Sequence, residues 1–246
     1  MKRASWTRVM IGLLVGLPLA VAAAEQPPLR QFAQSGIQDL TLSLTLEDQQ
    51  PAELRRMGKD FADLYRFGKA RLRLMEPGRI RMDSRAGLIS VVYVVNRDRK
   101  LYSIPGIGIR SVRDIPHSAS PHQGLLDIGL ISSTLADVVV ATPLGKGTID
   151  GTSVWRYAIV FTMDRFQKRQ ELSIDPTTRT VLERTTYHAD GTVRARFRYH
   201  DPVQVAPGVW VPRRMELYSP RGKHAATTHY NEVRLNTGVD PEVFAF

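Results

Sequence analysis

The chain has 246 residues, of which 43% are hydrophobic, a formal net charge of +10 and no cysteine. This length and apolar content suit a single domain with a sizeable core. Without cysteine, disulfides, thiolate catalysis, cysteine-ligated metals and lipidation of an amino-terminal cysteine are excluded.

The first residues have the pattern of a secretory signal. Three basic residues precede an apolar run from Val9 to Val21, and the small residues Ala22 to Ala24 offer a cleavage point. The run is shorter than a bilayer span normally requires. We therefore predict a signal peptide at residues 1–24, one domain at 25–246, and export to the periplasm of a double-membraned bacterium. Removal of the signal takes away three basic and no acidic residues, so the formal net charge falls from +10 to +7.

Three elements are predicted before the centre of the chain. A short helix follows Pro27-Pro28, and four leucines from Leu40 to Leu46 alternate with polar residues, which is the pattern of a strand. From Pro51 to Phe67, apolar residues fall on one stripe at helical spacing, and Gly68 suits the end of that helix.

The stretch from Gly68 to Pro105 is predicted to be a four-stranded antiparallel meander. Leu72 and Leu74 in its first strand, and Ile80 and Met82 in its second, alternate with basic residues. Successive side chains of a strand point to opposite faces, so this sheet has one apolar face and one basic face.

Residues 111–123 are predicted to form a loop, and Gly124 to Val140 a helix. At helical spacing Leu126 and Leu130 fall among its polar residues, so the helix contacts apolar material on two sides. It is either a lid over an apolar cavity or a helix buried between the sheet and a second helix.

From Lys146 onward the sequence predicts strands. Their ranges are Val154–Phe161, Gln170–Ile174, Thr180–Tyr187, Val193–Tyr199, Val203–Val211, Arg213–Tyr218 and Ala225–Leu235. Roughly ten or eleven strands and two or three helices, without βαβ alternation, favour the α+β class. We predict a mainly antiparallel, strongly curved and unclosed β-barrel, with helices covering its concave face.

No catalytic residue, cofactor or metal site can be nominated from motifs. Thr142 to Thr148 has an incomplete phosphate-loop pattern. Asp114, His117 and His122 lie in a proline-broken loop, which does not hold metal ligands together. Nucleic-acid-binding signatures are also absent from the sequence. We therefore predict a protein that is not an enzyme and does not bind nucleic acid.

A stripe of arginines is predicted on the outer face of the sheet. Its members are Arg71, Arg73, Arg79, Arg81, Arg194, Arg196 and Arg198. One interpretation is a solvated face balanced by acids such as Glu171 and Glu183. The other is docking to anionic head groups or to an acidic membrane protein.

The order of these elements resembles the LolA-like periplasmic carriers of lipoproteins and lipids, which include outer-membrane lipoprotein-sorting proteins. Leu72 to Ile80 is similar to the family's strand–proline–strand corner, and Asn96 to Tyr102 to its turn and aromatic strand. Gly124 to Val140 falls where the family keeps a lid helix. Asp190-Gly191-Thr192 and the segment from Tyr230 to Phe246 fit its last strands.

This resemblance implies a half β-barrel whose apolar concave face holds acyl chains under helices. The chain would be a monomeric periplasmic carrier of a lipid or lipoprotein, with membrane-protein partners at one or both membranes. Glu76 stands where the family's lipoprotein carrier has an arginine that ties down the lid, so that tether is not carried over. The helix 51–67 and a hairpin at 203–222 are additions, and the cargo stays open between a lipoprotein and another lipid.

The candidate lining residues are Leu72, Leu74, Ile80, Met82, Tyr93, Ile104, Trp155, Tyr157, Leu125, Ile128 and Leu135. Alternation supports Leu72 with Leu74, and Ile80 with Met82, as pairs on one face. Two other functions are open: a periplasmic sensor on the same scaffold that binds a membrane-anchored protein, and an enzyme acting on lipid or cell-wall material.

Overall fold

The structure is a computed structural model that describes residues 26–164 and 168–246. The predicted signal peptide lies outside the described residues.

The described residues contain fifteen strands and three α-helices. The strands are β1 (Asp39–Glu47), β2 (Lys69–Met75), β3 (Arg79–Ala86), β4 (Ile89–Asn96), β5 (Arg99–Ile104), β6 (Ile109–Asp114), β7 (Val139–Ile149), β8 (Thr152–Phe161), β9 (Gln170–Ile174), β10 (Val181–Tyr187), β11 (Val193–His200), β12 (Val203–Ala206), β13 (Val209–Val211), β14 (Arg214–Tyr218) and β15 (His224–Leu235). The helices are α1 (Pro51–Met57), α2 (Lys59–Leu64) and α3 (Ser133–Asp137). Short 3₁₀ helices span Leu29–Phe32, Pro105–Ile107, Ser120–His122, Leu126–Ile128 and Pro241–Phe244.

Thirteen strands form one antiparallel sheet in the order β6-β5-β4-β3-β2-β1-β15-β14-β11-β10-β9-β8-β7. The strands β6 and β7 lie at opposite edges, so the curved sheet is not closed. This architecture confirms the predicted fold class. The structure has more strands than predicted. The strand β6 overlaps the predicted loop, β7 begins at the end of the predicted helix, and the predicted strand Val203–Val211 divides into β12 and β13.

The pairing register places the predicted apolar pairs on one face. Leu72 lies opposite both Leu42 of β1 and Met82 of β3, and Leu74 lies opposite Ile80. Directly opposed residues of antiparallel strands share a face. These residues therefore form a continuous apolar surface on the concave side of the sheet.

The convex face carries a second, smaller apolar cluster. Phe244 is fully buried there against Val94 and Leu101. The carboxylate of Asp39 in β1 accepts hydrogen bonds from backbone N–H groups of the loop that leads to this cluster, among them that of Thr237 at 2.9 Å. The carboxyl-terminal segment thus crosses the outer side of the β3–β6 region.

Two predicted additions have different boundaries. The helix predicted from Pro51 to Phe67 is two helices, since the backbone of Gly58 takes a φ of 121° between α1 and α2. The predicted hairpin at 203–222 is shorter: β12 and β13 form a separate two-stranded sheet, while β14 belongs to the main sheet.

The single helix predicted from Gly124 to Val140 is wrong. The 3₁₀ helix Leu126–Ile128 ends at Gly129, whose φ is 85°, and α3 begins only after Ser132. The strand β7 then starts at Val139. The segment is so rich in apolar residues that many spacings match a helical stripe, which is why periodicity did not reveal the break.

Most of the arginine stripe is balanced by acids. Arg198 lies 3.1 Å from Glu183, and Arg81 lies 2.8 Å from Asp83. Arg194 departs from the stripe, because its guanidinium lies 5.0 Å from the centre of the Phe61 ring and its Nε donates to the carbonyl of Met57.

Candidate functional site

The candidate site is the apolar concave face of the sheet together with the segment that covers it. We call residues 115–138 the cover segment. It leaves the edge strand β6 and enters the opposite edge strand β7, so it must cross between the two edges of the open sheet.

Nine of the eleven predicted lining residues belong to one apolar cluster between sheet and cover: Leu72, Leu74, Ile80, Met82, Trp155, Tyr157, Leu125, Ile128 and Leu135. Tyr93 lies opposite Met82 and Tyr102, and Ile104 has the same strand parity as Tyr102, so both share the concave face. They lie outside the cluster and are half-buried. That these residues contact a ligand stays a prediction.

The cover segment fills the hollow with its own side chains. Six of them are at most 2% exposed: Leu125, Leu126, Ile128, Leu130, Ile131 and Leu135. Two open clefts, of about 610 and 200 Å³, are lined mainly by side chains of the convex face. A ligand for the hollow must therefore displace the cover segment.

Two glycines let the cover segment approach the sheet closely. A Cβ at Gly124 would lie 3.0 Å from Leu74 and 3.1 Å from Ile80. A Cβ at Gly129 would lie 2.9 Å from the ring of Tyr199, and the φ of 85° at that position already favours glycine.

An ion pair joins the cover segment to the floor of the hollow, which is the concave face of the sheet. Arg184 of β10 has a side chain that is 4% exposed, and its Nη2 lies 2.8 Å from the carboxylate of Asp127, which is half exposed. The guanidinium carbon also lies 4.2 Å from the centre of the Phe197 ring. The pair thus lies at the rim of the hollow, between solvent and the apolar cluster.

Two tyrosine hydroxyls of the floor hold the backbone of the cover segment. Tyr199 donates to the carbonyl of Leu126 at 3.2 Å, and Tyr230 donates to that of Asp127 at 3.3 Å. Burial raises the pKa of both phenols, so they are neutral donors at physiological pH.

Glu76 holds the other end of the cover segment. Its carboxylate lies 3.5 Å from the hydroxyl of Ser132, which also caps α3 by accepting from the N–H of Leu135. Burial raises the pKa of Glu76, while hydrogen bonds from Thr134 and Ser132 oppose that shift. Glu76 therefore does contact the cover segment. It does so through Ser132, and not through an arginine tether like that of the family the sequence resembles.

Two further elements close the hollow at its ends. Leu54 and Met57 of α1 are buried in the apolar cluster. The ring centre of Phe61 in α2 lies 6.2 Å from that of Phe197. At the amino-terminal side, Phe32 contacts Tyr157 edge-on at 5.9 Å.

Sequence reasoning missed Arg184 and Asp127 as a pair. The signal in the sequence was Arg184 itself, because strand parity places this arginine of β10 on the apolar face. Its partner Asp127 comes from a distant segment, so the sequence does not identify it. In the residues that the structure describes, no group of three potential metal ligands converges. The same residues contain no helix long and apolar enough to cross a bilayer.

No protein-family model matches the sequence, and no curated protein matches it. The fold is similar to that of a domain from Vibrio parahaemolyticus assigned to outer membrane lipoprotein sorting, with a TM-score of 0.61, 12% identity, and coverage of 88% of this chain and 93% of that one. It is also similar to a LolA superfamily protein from Nitrosomonas europaea, with a TM-score of 0.59, 9% identity, and coverage of 89% and 94%. A DUF1329 family protein from Desulfovibrio piger gives a TM-score of 0.53 at 12% identity, with coverage of 88% and 92%. At these identities the likeness is one of fold.

Proposed function

We propose that the protein is a periplasmic carrier that holds the acyl chain of a lipid or lipoprotein in the concave hollow, under the displaced cover segment. The observation that carries the proposal is the cover itself. It joins the two edges of an open sheet and contributes six buried apolar side chains that touch a continuous apolar floor. An acyl chain is apolar, as those side chains are, and can therefore replace them.

The energies of this exchange are of similar size. Burial of a leucine or isoleucine contributes about 1.5–3 kcal/mol, so moving six of them into water costs on the order of 10 kcal/mol. An acyl chain of about sixteen carbons has about fourteen methylenes and gains about 0.8 kcal/mol for each one buried, or roughly 11 kcal/mol. A near balance of this kind permits both loading and release, which a carrier needs and which no catalytic group has to assist.

The carrier would act as a monomer, deliver its cargo toward the outer membrane, and meet membrane proteins at one or both membranes. An exposed apolar tip suits that contact. Leu88 is 99% exposed in the β3–β4 turn, and Ile107 and Ile109 are 63% and 45% exposed at the β5–β6 connection. Exposed Arg85 and Arg110 flank this tip, and together these residues suit the interface of an anionic bilayer or a protein embedded in it.

The test combines extraction with two matched variants. Mass spectrometry of an organic extract from protein purified out of the periplasm should recover one lipid class. In solution, Ile80→Glu should reduce binding of a fluorescent acyl probe at least about tenfold, because a carboxylate buried beside the acyl chain is costly. Leu88→Glu should bind the probe as the wild type does, and should bind anionic vesicles more weakly.

A folded Ile80→Glu variant with wild-type probe affinity would contradict the proposal. Recovery of a bound protein and no lipid would favour the regulatory alternative instead.

A further inference from the structure

We propose that the ligand of the hollow carries an anionic head group, a carboxylate or a phosphate, and that Arg184 binds this group in place of Asp127. The inference rests on the proposed carrier function and adds the chemical class of the cargo. It concerns the rim of the hollow, where the charged pair lies.

Arg184 has binding capacity that the protein does not use. Its Nε and Nη1 are buried and have no hydrogen-bond partner among the described residues, while its Nη2 lies 2.8 Å from Asp127. A guanidinium can bind an oxyanion through two parallel N–H groups. Asp127 therefore occupies only one of the three nitrogens, and an oxyanion that takes its place can bind Nη2 together with Nε or Nη1.

The pair also connects the two parts that must separate. Arg184 belongs to β10 in the floor, whereas Asp127 belongs to the cover segment. Moving the cover away leaves a buried charge without its partner, which is strongly unfavourable. A neutral ligand does not restore that partner, but a carboxylate or phosphate does. An anionic ligand therefore favours the open state more strongly than a neutral ligand of the same length does.

The surroundings of Arg184 suit a head group at the rim with its tail inside. The hydroxyls of Tyr199 and Tyr230 donate to carbonyls of the cover segment, so both become free donors when that segment moves. In the sheet register Arg184 lies between Leu172 and Phe197, which belong to the apolar cluster. One cation and two hydroxyls thus adjoin the floor that would hold the acyl chain.

The test compares three ligands with the same tail: laurate, lauryl phosphate and lauryl alcohol. Titration calorimetry at neutral pH, below the micelle concentrations, should show that the wild type binds at least one of the two anions about tenfold to a hundredfold more tightly than the alcohol, which is the range of charge-assisted hydrogen bonds. Inorganic phosphate alone should not displace the preferred anion, since it has no tail.

Asp127→Asn removes the partner of Arg184 from the closed state, so displacing the cover segment costs less, and the variant should bind both the preferred anion and the alcohol several-fold more tightly than the wild type, with an unchanged preference for the anion. Arg184→Met should lose the preference for anions while still binding the alcohol. If Arg184→Met does not fold, Arg184→Lys takes its place: an ammonium cannot bind an oxyanion through two parallel N–H groups, so the preference for the anion should shrink, whereas a preference due only to the positive net charge would not change.

Equal binding of all three ligands by the wild type, or an unchanged preference for the anion in a folded Arg184 variant, would overturn the anionic assignment and leave the carrier function standing. Displacement by inorganic phosphate as effective as by lauryl phosphate would also overturn it, in favour of a site for free anions. Failure of all three ligands to bind would instead count against the carrier function, and the inference would fall with it.

Discussion

Glu76 places a carboxylate where burial and local hydrogen bonding oppose each other. Burial raises its pKa above the ordinary value of 4.5, and the hydroxyls of Thr134 and Ser132 partly compensate. The folded state therefore binds a proton on this group more tightly than the unfolded chain does. Its contribution to stability is lost as the pH rises from 4.5 through the raised pKa.

Glu76→Gln should consequently gain stability over the wild type as the pH rises from 4.5 toward neutrality, and should match it at lower pH, since the amide does not titrate. Urea unfolding across this range measures the difference. Glu53→Gln is a control of opposite sign. A hydrogen bond from Ser219 lowers the pKa of the half-buried Glu53 carboxyl, so loss of the charge should destabilise the protein at neutral pH. Parallel stability profiles for Glu76→Gln and the wild type would refute the role given to Glu76.

For single residues, the sequence predicted which side chains share a face of the sheet, because this depends only on neighbours along one strand. Leu72 with Leu74, and Ile80 with Met82, share a face because alternation is a local property of the backbone. The partnership of Arg184 with Asp127 could not be predicted in this way, because it depends on how the cover segment crosses the sheet.

The cover segment is the element in which prediction and structure differ most. Its many leucines and isoleucines suggested one continuous helix, whereas Gly129 and Ser132 divide it into two short pieces. The division explains why Leu126 and Leu130, which a single helix would place among polar residues, are fully buried.

Gly129→Ala tests this arrangement. The positive φ costs roughly 1–2 kcal/mol for a residue with a Cβ, and the Cβ would also meet the ring of Tyr199 at 2.9 Å, adding about 1–3 kcal/mol of overpacking. Gly151→Ala is the matched control, because Gly151 has a φ of 83° and nothing lies within 4 Å of its added Cβ. Thermal or urea unfolding should show a clearly larger loss for Gly129→Ala. Equal losses would mean that the cover segment does not pack against Tyr199.

On the scale of the whole molecule, an open sheet with two free edges would expose its apolar side unless something crossed it. Here the connection between β6 and β7 does so, and α1, α2 and the segment Leu29–Phe32 close the ends. The sequence indicated the curved antiparallel sheet because strand patterns and short turns are local. It could not indicate that the two edges are joined by the cover, since the order of strands in the sheet depends on the long-range pairing of β1 with β15.

The central claim is that this cover opens to admit an acyl chain, and a reversible cross-link tests it most directly. A Cβ at position 124 would lie 3.1 Å from Cγ1 of Ile80, which is the position a cysteine sulfur would take, and this separation suits an S–S bond of about 2.05 Å. The chain has no cysteine of its own, so the double variant Gly124→Cys/Ile80→Cys can form only this bridge within one molecule. The oxidised protein should take up no acyl probe, and the same sample should recover uptake after reduction. Equal uptake by the oxidised and reduced forms would contradict the account.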